Sequence, residues 1–63
     1  MPMMLVNEEY KPIYLDPDDS VLYVPDPGDV FICKNNKYRV LGHLIDIDID
    51  MLYVKCKELP WEA

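Results

Sequence analysis

Residues 29–40 read DVFICKNNKYRV and predict two short β-strands joined by a tight turn. The first run is almost continuously apolar and rich in branched and aromatic side chains, a composition that favours strands. The two central asparagines tolerate the left-handed backbone conformation that tight hairpin turns demand. In the return strand, Tyr38 and Val40 fall on one face, whereas Lys37 and Arg39 fall on the other.

Similar short runs occur along most of the chain, and none has the 3.6-residue period of an amphipathic helix. Pro12 cannot donate to a β-ladder, so its run is expected to be an edge strand or to begin at the proline. Gly42 predicts a break or a bulge. DPDDS at 16–20 and PDPG at 25–28 predict turns. The remaining predicted strands cover residues 3–6, 10–15, 20–24, 43–46 and 51–57.

Five or six short strands in one domain of residues 1–63 predict a small all-β fold, an antiparallel meander that must curl to hide its edges. In the last strand, Leu52, Val54 and Cys56 are expected to share one face, and Met51, Tyr53, Lys55 and Lys57 the other. The stretch PGDVFICKNNKYRV, followed later by MLYVKCKEL, resembles SH3-like barrels in outline. This resemblance implies an open SH3-like barrel and leaves the function open.

The formal net charge is −6, from twelve acidic and six basic residues. Nucleic-acid binding usually needs a basic patch, so this balance disfavours it and favours a protein partner. Five bases in the second half of the chain could nevertheless share one face. They define the first alternative, an SH3-like nucleic-acid-binding barrel that uses Lys34, Lys37, Arg39, Lys55 and Lys57.

The run IDIDID at 45–50 alternates isoleucine with aspartate. An EF-hand calcium loop that began at Asp46 would need glycine at its sixth position and glutamate at its twelfth, where this chain has Met51 and Lys57. Two interpretations remain. The run is either a strand with its isoleucines inward and its aspartates outward, or the tip of a hairpin. Carboxylates spaced along a strand also give the second alternative function, an acidic mimic of nucleic-acid charge.

Catalytic chemistry is poorly supported by this composition. The chain has one histidine, His43, and one serine, Ser20, and the latter lacks the glycine motif of a nucleophile elbow. Cys33 and Cys56 are expected to be reduced core thiols, with a disulfide between them across adjacent strands as the alternative. Together with His43 they lack zinc-ligand spacing. We therefore expect no enzymatic activity, no bound metal and no cofactor.

The expected function is a non-catalytic protein-binding or adaptor module. Its expected contacts are acidic residues and exposed aromatic rings, namely Asp46, Asp48, Asp50, Tyr53 and Trp61. Short acidic chains of this kind are typical of phage or mobile-element accessory proteins and host-factor inhibitors. The sequence shows no signal peptide and no transmembrane run, which predicts a cytoplasmic protein away from membranes. Homo-oligomerisation through the apolar strands at both ends is a further alternative.

Overall fold

A computed structural model describes residues 2–16 and 24–61, which form a single five-stranded sheet. The all-β prediction is confirmed, and the curled half-barrel shape of the sheet is consistent with a small SH3-like barrel. The predicted turn at 16–20, apart from Asp16, and the predicted strand at 20–24, apart from Val24, lie outside the described residues. The strands are β1 (Met3–Val6), β2 (Pro12–Asp16), β3 (Val30–Cys33), β4 (Asn36–Asp46) and β5 (Met51–Leu59).

The strand order is β2-β1-β5-β4-β3, and every neighbouring pair is antiparallel except β1 with β5. The sheet is therefore mixed, where the sequence suggested a purely antiparallel meander. The parallel pair arises because β5, at the end of the chain, returns between the first hairpin and the second. Its insertion gives β1 a neighbour on both sides, so that β2 and β3 are the edges of the sheet formed by residues 2–16 and 24–61.

The β3–β4 hairpin is confirmed, but its turn lies one residue earlier than the two central asparagines indicated, and Asn36 already belongs to β4. Lys34 and Asn35 form a two-residue turn with φ values of 51° and 66°. These left-handed values define the type I′ geometry that matches the twist of the flanking strands. Gly28 has φ 93° in the turn before β3, as expected for the PDPG segment. A register shift between Val40 and Gly42 forms the bulge predicted for β4.

The core lies on one face of the sheet, and its alternation follows the prediction for β4 and β5. Val54 and Cys56 are completely buried, and Leu52 packs against them partly buried. Phe31 stacks on Tyr38 with ring centroids 5.6 Å apart. The buried core cluster consists of Met3, Leu5, Tyr38, Val40, Val54 and Cys56.

Edge protection differs between the two outer strands. β2 begins at Pro12, as expected for a proline in an edge strand, and its pairing with β1 is irregular near Val6. β3 has no proline, and its Val30 and Ile32 side chains are exposed. None of the described residues belongs to a helix long and apolar enough to cross a membrane.

Candidate functional site

The hairpin tip, defined here as residues 45–50, contains the whole alternating acidic run. β4 ends at Asp46, β5 begins at Met51, and the four residues between them form the turn. The backbone N–H of Asp48 donates to Asp46 Oδ1 at 3.0 Å. Asp50 adopts φ 54°, the left-handed conformation that closes the turn. The structure therefore selects the hairpin-tip interpretation of the run over the extended strand.

The isoleucines of the hairpin tip face solvent. Ile45, Ile47 and Ile49 are 57%, 84% and 57% exposed, so they do not pack into the core as the strand interpretation expected. The physical reason is that side chains two residues apart share a face only where the backbone is extended. The chain turns after Asp46, so Ile47 and Ile49 leave this alternation. Ile45 still lies in β4, opposite Leu52, but at the end of the sheet. Three apolar side chains thus share the tip with three carboxylates.

These carboxylates do not form a metal site. Among residues 2–16 and 24–61, no three histidine, cysteine, aspartate or glutamate side chains come close enough together to hold a metal ion. Asp46 shapes the turn through its bond to the Asp48 backbone, which is an Asx-turn. Because Asp48 and Asp50 lie in a turn, the regular strand spacing on which the charge-mimic hypothesis rests does not occur here.

Of the two aromatic residues predicted to join the acidic run, Tyr53 lies next to it and Trp61 lies at the opposite end of β5. Tyr53 is half-buried in β5, opposite Leu44. Trp61 is exposed beyond the other end of β5, where its Nε1 donates to the carbonyl oxygen of Asn35 at 3.1 Å. β5 is nine residues long, which corresponds to about 26 Å at ~3.3 Å per residue. Trp61 and the hairpin tip therefore cannot form one continuous contact surface.

Four of the five bases named in the nucleic-acid alternative lie together. Arg39 of β4 is paired directly with Lys57 of β5, and Lys37 and Lys55 occupy neighbouring positions of the same face. Lys34, the fifth, lies apart in the β3–β4 turn. The sequence pattern could not show this grouping, because it depends on the pairing of two strands.

An open groove of about 410 Å³ lies between the β1–β2 loop and the β3–β4 turn. Ile13 and Tyr38 form part of its apolar wall, and Lys34 and Glu58 contribute charge. Neither cysteine lines it, and neither does the histidine. Sequence reasoning missed the groove because its walls come from opposite edges of the sheet.

The surroundings of the two cysteines and the histidine indicate structural roles. Both cysteines are free, and burial, followed by the neighbouring Cys33, raises the pKa of Cys56 to about 11. Such a thiol stays protonated at neutral pH and is a poor nucleophile. The His43 ring donates from Nε2 to the carbonyl oxygen of Pro25 at 2.6 Å. This bond ties the segment before β3 to β4.

Comparison with known proteins finds no matching family model, no matching curated protein and no matching solved structure.

Proposed function

We propose that this protein is a non-catalytic protein-binding module whose contact element is the hairpin tip. The observation that carries the proposal is the exposure of Ile45, Ile47 and Ile49 at the turn that joins β4 to β5. Exposed apolar groups that cluster in this way, rimmed by polar residues, are typical of interaction sites.

The chemistry of the tip defines the partner. Its isoleucines require an apolar cleft in which their side chains lose contact with water. The carboxylates of Asp48 and Asp50 alternate with the isoleucines along the turn and form no salt bridge within the described residues. Complementary charge at the rim of an interface speeds association and selects partners. The partner is therefore a protein with an apolar cleft bordered by lysine or arginine side chains.

The order of the turn supports a binding role for this element. The Asp46 side chain holds the Asp48 backbone, and Asp50 N donates to the Ile47 carbonyl oxygen at 3.4 Å. A turn ordered before binding loses less conformational entropy on association than a flexible one. The non-catalytic part of the proposal is supported by the buried, protonated Cys56 thiol and by His43, whose ring nitrogen is engaged with Pro25.

The test is affinity capture from the native cell or host with tagged protein, followed by mass spectrometry and binding measurements on the purified candidate. The test variant carries Ile47→Thr and Ile49→Thr, which keep the β-branched shape and remove apolar surface. Ile32→Thr is the matched control, because Ile32 is also exposed but lies in β3. We expect capture of the same protein by wild type and control, and loss of that protein with the tip variant.

Isothermal titration calorimetry with the purified partner then measures the change in affinity. Loss of two well-buried isoleucine contacts is expected to weaken binding by at least about tenfold, since each buried CH₂ contributes about 0.8 kcal/mol. Unchanged affinity of the tip variant for a partner that the wild type binds would contradict the proposal.

A further inference from the structure

The face of β4 and β5 that points away from the core is basic. Its cations are Lys37, Arg39, Lys55 and Lys57, which alternate along the strands with buried core residues. Arg39 and Lys57 are exposed and directly opposite each other, whereas Lys37 and Lys55 are half-buried. We call these four residues the basic face.

Charge is strongly segregated on this small protein. The basic face holds four of the chain's six lysine and arginine residues, although acidic residues number twelve. On the same side of β3, β4 and β5, the only carboxylate belongs to Asp46, at the far end of β4. No member of the basic face forms a salt bridge within the part of the chain that the structure describes.

Stability does not explain this arrangement. Like charges placed directly opposite each other on paired strands are destabilising, and Arg39 and Lys57 are such a pair. The net charge of −6 supplies many carboxylates that could have neutralised them. A bound anion would offset the repulsion, and several adjacent cations fit a ligand with several negative charges.

An aromatic ring lies beside the basic face. Tyr10 is 47% exposed, and the Lys55 ammonium lies 5.2 Å from the centroid of its ring. The backbone of Tyr10 has φ 61°, an unusual value for a bulky residue, and its N–H donates to the Asn7 carbonyl oxygen at 3.0 Å. The β1–β2 loop therefore holds the ring at this surface. Tyr53 lies two residues before Lys55 on the same face.

We propose that the basic face and Tyr10 form a binding site for single-stranded nucleic acid. The cations contact backbone phosphates, and the exposed ring of Tyr10 stacks on a base. Cationic grooves with neighbouring aromatic rings are typical of single-strand binding sites, because every base offers a stacking face. The site does not use the isoleucines of the hairpin tip. Failure of the protein-binding proposal would therefore not contradict nucleic-acid binding, and failure of nucleic-acid binding would not contradict the protein contact.

Net charge alone does not exclude this ligand. Exposed charges farther apart than the Debye length, about 8 Å at physiological ionic strength, interact only weakly. The local cations therefore determine the interaction with phosphate at short range, while the acidic remainder of the chain weakens it. Binding is expected to be weak and salt-sensitive. For four phosphate contacts to a single strand, the slope of log K against log salt is about −2.8.

The test is fluorescence anisotropy of labelled twelve-nucleotide dT and rU strands and of a twelve-base-pair duplex, titrated with the full chain from 20 to 200 mM salt. The test variant is Arg39→Gln with Lys57→Gln. The control is Lys11→Gln with Lys34→Gln, which lies off the basic face. Each double variant changes the net charge from −6 to −8. Circular dichroism verifies that both are folded.

We expect the wild type and the control to bind single strands, and the test variant to show a slope reduced to about half, near −1.4, with correspondingly weaker binding. Tyr10→Leu is expected to weaken binding at least about fivefold through loss of stacking. The proposal is overturned by no anisotropy change at 20 mM salt, by equal losses in both double variants, or by tighter binding to the duplex. Displacement of the strand by an equal charge concentration of poly-glutamate would also overturn it, in favour of an acidic protein ligand.

Discussion

The most informative prediction compares Val54 with Ile47, two branched apolar residues that a hydropathy pattern treats alike. Val54 has no exposed surface and lies in the centre of the sheet, paired with Leu5 on one side and His43 on the other. Ile47 is 84% exposed in the hairpin tip. Truncation of each residue to alanine therefore separates the effect of burial on stability from the effect of side-chain hydrophobicity alone.

The expected magnitudes follow from the two environments. Val54→Ala removes two methyl-sized groups, worth about 0.8 kcal/mol each, and leaves a cavity that the flanking strands cannot readily fill. The free energy of unfolding should fall by about 2–3 kcal/mol. For a domain of this size the melting temperature then falls by about 10–20 °C. Ile47→Ala should change stability by less than about 0.5 kcal/mol, because the side chain is already in water.

Thermal melts and urea titrations followed by circular dichroism measure both effects on the isolated protein. The m-value should stay constant, which shows that the variants unfold from the same compact state. The assignment of the core would be refuted if Ile47→Ala cost more than about 1 kcal/mol, or if Val54→Ala cost less than that.

Three further predictions concern the thiol and the turns. Because burial raises the pKa of Cys56 from 9.0 to about 11, the native thiol keeps its proton while the unfolded chain loses it. The free energy of unfolding should therefore fall between pH 9 and 11 with a slope approaching about 1.4 kcal/mol per pH unit, and Cys56→Ala should remove that part of the slope. Asn7→Ala should cost about 1–2 kcal/mol in urea unfolding, because its Oδ1 accepts the Glu9 and Lys11 N–H groups at 2.8 and 2.9 Å; Asn7→Asp should retain most of that stability. Lys34→Asn should raise the melting temperature, since asparagine tolerates the positive φ of this position and lysine does so at a cost of about 1 kcal/mol; an unchanged melt would contradict the type I′ turn.

Much of the core and the β3–β4 hairpin was predictable from the sequence, because both depend on residues that are close together along the chain. The KNNK segment contains residues that tolerate the left-handed backbone of a tight turn. Strand alternation places a second set of side chains together on the core face: Tyr38, Val40, Val54 and Cys56. Leu52 follows the same alternation and packs against the core. In each case the physical determinant acts over a few neighbouring residues.

The candidate surfaces were less predictable. The sequence identified 45–50 as an acidic run of structural interest, but it could not place the turn within that run, and a turn reverses the expected burial of Ile47. Of the five residues expected to contact a partner, Trp61 is separated from the other four along β5. Tyr10 gave no specific signal, because its contact with Lys55 joins a loop near the start of the chain to a strand near its end.

By itself the sequence determined an all-β chain, the type of its tight turn, the core face of its central strands and a net negative charge. Only the tertiary structure decided that β5 lies between β1 and β4, that the acidic run is a tip with exposed isoleucines, and that four cations share one face. The physical reason is the range of the interactions involved. Alternation and turn preference are properties of adjacent residues, whereas strand order and register are set by burying one common face, and they alone bring Arg39 opposite Lys57.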